Sequence, residues 1–136
     1  MRYNDDAWAP LREAVPSFRE AWTAHAASEY YDDTLTGPNV TQLVRHVSTR
    51  IAAGDWSEYP GMVAAMERLY ATLSDEASDF LLTVGLLEDL ITEAETLGID
   101  IWRLYRPLGP RSRDGWRIAY HYTHNGAEWK PPRADV

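Results

Sequence analysis

Apolar positions recur at helical spacing through most of the chain, and the breaks between them coincide with proline, glycine and small polar residues. The clearest run is Ser74 to Gly98, SDEASDFLLTVGLLEDLITEAETLG. Ser74 offers a side-chain acceptor, Asp75 and Glu76 place negative charge where a helix start leaves free N–H groups, and Gly98 supplies an exit. At 100° per residue, Leu86, Leu97, Leu90, Ala94, Leu87, Phe80, Ile91 and Val84 fall on one arc, with Glu95, Glu88, Asp89 and Glu93 around the rest. The pattern predicts an amphipathic helix with an acidic outer face.

The same reading places a short helix from Asp6 to about Ala14, with Trp8 and Leu11 inward, and a second from Pro16 or Ser17 to about Tyr30. Leu35 to Asn39 reads as a turn with Asn39 as cap, and Val40, Leu43, Val44, Val47 and Ile51 mark a third helix stopped at Gly54. Met62, Met66, Leu69 and Leu73 mark a fourth, joined to the Ser74 helix by a link short enough to predict an antiparallel hairpin. Ile99 to Tyr105 predicts a helical turn ending before Pro107. Gly115 to His124 has two readings: strand alternation of Trp116, Ile118, Tyr120 and Tyr122 with a turn at Asn125-Gly126, or a helix from Pro110, which we favour because a lone hairpin is marginal. The expected fold is all-α: five or six helices in antiparallel hairpins, a stack or bundle, with an irregular C-terminal segment. Residues 1–125 would form a single domain, and 126–136 a tail docked by Trp129.

Composition narrows the class. The chain has 136 residues, enough for one core, with 45% hydrophobic and 25% charged residues. It has no cysteine, which removes disulfides, thiolate metal sites and thiol nucleophiles. The first ten residues hold no signal-peptide core and no run is long enough to span a bilayer, so a cytoplasmic protein without membrane contact is expected. The net charge of −8 is uneven: residues 51–100 carry eleven acids against Arg68, while 101–136 carry seven bases against three acids. Two readings of the acidic half stand: solvated helix faces that pair within the fold, or a docking surface that steers a basic partner.

Candidate chemistry is sparse. Glu88 shares a helical face with Leu81, Gly85, Thr92 and Glu95, and Gly85 would admit a close approach; pairing of Glu88 with Arg103 or Arg106 is the alternative. His121 and His124, three residues apart, lack an acidic third ligand for a metal. No HExxH, phosphate loop, GxSxG or EF-hand loop occurs, so no catalytic residue, metal or cofactor is expected and the chain does not read as an enzyme. Arg103, Arg106, Arg111, Arg113 and Arg117 among Trp102, Tyr105, Trp116, Tyr120 and Tyr122 have the ingredients of a nucleic-acid surface, but pairing of the arginines with the acidic centre and packing of the rings as core is the stronger reading. Trp56 and Tyr59, in a loop beside Asp55 and Glu58, are candidate exposed anchors.

Val84-Gly85-Leu86-Leu87-Glu88-Asp89-Leu90, followed by Leu108-Gly109-Pro110, resembles a group of small bacterial helical proteins, some of them similar to immunity proteins of polymorphic toxin systems. The likeness covers residues 15–122 in layout, and the aromatic, proline-ended tail from Trp116 departs from it. The resemblance implies a stoichiometric binder that neutralises a toxin and has no reaction of its own. The expected function is therefore protein binding by occlusion of a basic toxin or effector, through Glu88, Asp89, Thr92 and Glu95 edged by Trp56 and Tyr59. The alternatives are a nucleic-acid-associated regulator using the arginine-aromatic region, and a small enzyme or ligand-binding domain in which Glu88, His25 or His121 converge.

Overall fold

A computed structural model describes residues 5–29, 31–32 and 36–131, and within these the chain is all-α with no strand. A 3-10 turn at Asp5–Trp8 runs into α1 (Ala9–Glu13), and a second at Pro16–Phe18 runs into α2 (Arg19–Ala26). Then follow α3 (Thr36–Ala52) and α4 (Tyr59–Thr72). The long helix comes next, in three continuous parts: α5 (Asp75–Ser78), a wide π-helical stretch (Asp79–Glu88) and α6 (Asp89–Leu97). Finally α7 (Ile101–Tyr105) leads to α8 (Pro110–Thr123). The favoured helix is thus formed at residues 115–123, and Trp129 is buried against the body, while 132–136 lie outside the described residues.

Counting the long helix once, the described residues form seven helices where five or six were expected, and three boundaries differ from the sequence reading, the start of α4 at Tyr59 among them. The third helix begins at Thr36, not Val40, because Pro38 fits a first turn. Asn39 is no cap: its amide donates to the Asp32 carbonyl (2.9 Å) and its Oδ1 meets His25 Nε2 (2.8 Å), tying α2 to α3. The second helix stops at Ala26, and Tyr30 lies outside the described residues.

The long helix starts and ends as its sequence dictates. Ser74 Oγ accepts from the Ala77 N–H (3.1 Å), and Gly98 closes the helix at φ 73°, with Ile99 N–H returning to the Ala94 carbonyl (2.8 Å). Between these caps the buried positions are Ala77-Ser78, Leu81-Leu82 with Thr83, Leu86-Leu87, Leu90-Ile91 and Ala94. The interval from the second pair to the third is five residues, where an α-helix would take three or four. The π-helical turn absorbs that extra residue. It also corrects the uniform 100° projection, since Phe80 (47%), Val84 (50%) and Leu97 (43%) are exposed and Leu81 and Leu82 are inside. At Gly85 an added Cβ would stand 3.1 Å from the Phe80 carbonyl oxygen, so its bareness serves its own wide turn.

The long helix lies mainly against α3 and α8, while α4 packs on α8 and α1 and shares with the long helix the region of their link. A Cβ at Gly115 of α8 would collide with the Tyr70 hydroxyl, which passes over that glycine to reach Thr83 Oγ1 (2.7 Å) in the π-helical stretch. Glu67 of α4 caps α8, accepting from the Arg111 N–H (2.7 Å) and the Ser112 N–H (3.2 Å), so a carboxylate from another helix meets the positive end of α8. Gly109 leaves the room this requires. Glu67→Ala is expected to lower stability by about 1 kcal/mol in urea unfolding, the usual worth of an N-terminal cap; an unchanged midpoint would mean that Glu67 does not hold α8.

Candidate functional site

The acidic face of the long helix is divided among its neighbours. Asp89 accepts a hydrogen bond from Thr41 Oγ1 (2.5 Å), and Glu93 stands 3.9 Å from the Arg45 guanidinium, both on α3. Glu95 holds His124 at the end of α8, Oε1 to Nε2 2.9 Å. Thr92 is exposed between them. Neither Glu88 nor Asp89 has a cation within 4.0 Å among the described residues, but Asp89 has the Thr41 hydroxyl. Burial, and secondarily the charge of Asp89, raise its pKa above the ordinary 4.5.

Neither Arg103 nor Arg106, the expected partners of Glu88, forms an ion pair with it. Arg103 lies over the Trp56 ring (4.1 Å), Arg113 over Tyr105 (5.0 Å), and Arg117 pairs with Asp114 (2.8 Å). Tyr105, Trp116 and Trp129 are buried and pack on one another and on Tyr120, with ring centroids 5.0 to 5.8 Å apart. Their faces are core contacts, not a platform for bases.

Tyr59 corrects the expected pair of exposed anchors. It is the first residue of α4, 2% exposed, and its hydroxyl donates to the Leu104 carbonyl (2.7 Å). Pro60 in the first helical turn sets that start, which turns the ring inward. Burial holds its phenol protonated far above the usual range. Trp56 is half-buried against it, edge to face at 5.7 Å.

Glu88 instead belongs to a groove between the π-helical stretch and α8. An open cleft of about 790 Å3 is lined by Asp79, Thr83, Val84, Glu88, Ile118 and Tyr122. Val84 (50%), Ile118 (47%) and Tyr122 (70%) are the exposed apolar walls, and Phe80 lies on the same helix. The cleft continues past Asp79 and Thr83 into a second depression bounded by Tyr70, Asp75, Ser78, Arg111 and Asp114. There Ser78 Oγ is buried without a hydrogen-bond partner among the described residues. The Tyr70–Thr83 hydroxyl pair forms the floor, and burial raises the Tyr70 pKa well above that of a free phenol, so it stays a neutral donor. The groove therefore offers two carboxylates, apolar walls and a neutral polar floor.

A second polar cluster joins residues that the sequence holds far apart. Ser17 Oγ donates to Glu58 Oε1 and meets His46 Nε2 at 2.7 Å, the Ser17 N–H reaches Glu58 Oε2 (2.9 Å), and Arg50 approaches Glu58 at 3.4 Å. A hydroxyl has one proton. With it committed to Glu58, the His46 Nε2 must be the donor toward Ser17, the reverse of a base that activates a nucleophile. Burial, then Arg50, lower the His46 pKa against the opposing pull of Glu58. Burial works to raise the Glu58 pKa, but the Ser17 hydroxyl and N–H, Arg50 and His46 outweigh it and bring it down. The arrangement locks the start of α2 to α3 and to the loop before α4.

Of the residues expected to converge on a ligand, His25 is bonded to Asn39, and His121 lines an outer depression beside Arg117, Ile118 and Tyr122. Among the described residues no group of three His, Asp or Glu side chains could hold a metal ion, and no helix is long and apolar enough to cross a membrane. No protein family, curated protein or solved structure matches the chain.

The raised pKa of Glu88 has a definite sign. Its folded value lies above the unfolded 4.5, so its contribution to stability is full below pH 4.5 and is lost as pH rises through the folded value. At pH 7 the ionised carboxylate weighs against the free fold. Glu88→Gln is expected to be the more stable protein in urea at pH 7 by a fraction of a kcal/mol, with the advantage vanishing near pH 4; a less stable Gln variant at pH 7 would show a stabilising partner for Glu88 within the chain.

Proposed function

We propose that the protein is a protein-binding module of the immunity type, which neutralises a basic toxin or effector by covering its active surface, one copy to one. The observation that carries this reading is Glu88: a half-buried carboxylate without a counter-ion, framed by the exposed side chains of Val84, Ile118 and Tyr122. Such a group costs the free protein stability and is repaid where a partner's cation completes it. Exposed apolar side chains beside it supply the area that a charge pair alone does not.

The acid excess in residues 51–100 supports the same reading, since it steers a basic partner toward the half of the chain that carries the groove. Asp89 and Glu95, bonded within the fold, and the buried Tyr59 drop out of the direct contact set, leaving Glu88 and Thr92 on the long helix, while Trp56 packs on Tyr59 and Arg103. We read the helices as one preorganised unit acting in a bacterial cytoplasm, where occlusion needs no movement and no chemistry.

The test is co-expression with the toxin-like product of the adjacent gene. Restored growth and a 1:1 complex on gel filtration, formed more slowly as salt rises, are expected. Unrelieved toxicity with no complex would overturn the immunity role.

A further inference from the structure

The groove has a direction as well as a composition. Asp79 and Glu88 lie nine residues apart at the two ends of the π-helical stretch, closer along the axis than the roughly 13 Å that a regular α-helix would set between them, and both line the same cleft. Between them stand Val84 from the long helix and Ile118 and Tyr122 from α8, all half or more exposed or close to it. No lysine, arginine or histidine lines that cleft; Arg111 belongs to the adjoining depression beyond Asp79, and Arg117 and His121 to the outer side of Tyr122. The order along the floor is therefore carboxylate, apolar walls, carboxylate.

We propose that this groove receives one amphipathic helix of a protein partner, carrying two lysines or arginines about two turns apart, one against Asp79 and one against Glu88, with apolar residues between them on Val84, Ile118 and Tyr122. The inference rests on the protein-binding reading above and specifies what is recognised. A helix fits because the walls are themselves two helices, whose side-chain ridges leave a channel for a third, and because residues seven or eight apart in a helix span about 10–12 Å on one face. The charges are complementary: the cleft presents two anions and no cation, so each partner base would gain an ion pair that the partner's own surface does not provide. Closure by the apolar residues removes the water around Glu88 and strengthens that pair.

The experiment is selection of a displayed library of helix-forming peptides on the full chain, followed by titration of the enriched peptides. Paired Lys or Arg seven or eight positions apart, with Leu, Ile or Met between, is the expected enrichment. Binding should weaken about tenfold or more with Glu88→Gln and with Asp79→Asn and be lost with Ile118→Asp, while Asp89→Asn leaves it unchanged; melting curves of all four variants establish that each is folded. Enriched peptides lacking paired bases, affinity indifferent to Glu88→Gln, or no enrichment would overturn the proposal. So would self-association of the chain abolished by Ile118→Asp, since the occupant would then be a second copy. Toxin neutralisation that survives Ile118→Asp would remove the groove and leave the immunity reading intact, whereas peptide recognition of the expected pattern without neutralisation of any toxin would do the reverse.

Discussion

The burial of Leu81-Leu82 and Leu86-Leu87 on one side of a single helix is the constraint on which the rest of the structure depends. Each such side chain is worth roughly 1.5–3 kcal/mol when taken from water, far more than the loss of ideal winding over two turns. Apolar pairs five residues apart cannot share a face of an α-helix. The backbone widens between Asp79 and Glu88, and the core stays continuous from α3 to α8. The surplus residue has to go outward, and it takes Phe80 and Val84 with it. The apolar rim of the groove is thus a by-product of the packing that stabilises the fold.

What keeps α8 beside that wide turn is a set of contacts from other elements, placed at its two ends and its middle. Glu67 holds its first turn, His124 is held by Glu95 just past its last, and Gly115 lets Tyr70 cross to Thr83. Ile118 and Tyr122 are in this way fixed opposite Val84 on a rigid frame. Rigidity matters for a binder, because ordering side chains on association costs affinity that a preformed groove does not lose. The acids of the long helix divide accordingly: those facing α3 and the end of α8 knit the frame, and the two lining the groove, Asp79 and Glu88, are left without a counter-ion among the described residues.

Much of this was legible in the sequence, and the failures have physical causes. Helix spans followed from caps and breaks: Ser74, Gly54, Gly98 and Pro110 act where short-range rules place them. The facing of the long helix was misread because a constant 100° step hides a π-helical turn, although the doublets Leu81-Leu82, Leu86-Leu87 and Leu90-Ile91 spell out steps of five and then four. Tyr59 was misplaced by one boundary, with Pro60 marking a helix start that carries the ring inside. Glu88 was singled out from its face and its neighbours, but its groove-mates Ile118 and Tyr122 lie thirty and thirty-four residues further on, and nothing local announces them. The Ser17–His46–Glu58 cluster has the same character, since its members belong to three segments that only the fold assembles.

The claim that the wide turn accommodates one surplus residue is tested most directly by removing that residue. A chain lacking Val84 would set the two leucine doublets four apart, matching an ordinary α-helix, and would lose a wall of the groove without losing a core side chain. Thermal unfolding followed by circular dichroism should then show a cooperative transition with a midpoint no more than roughly 4 °C below that of the intact chain, about what 1 kcal/mol is worth at this size. A collapsed or broadened transition would contradict it, because it would mean that the register of the long helix depends on Val84 itself.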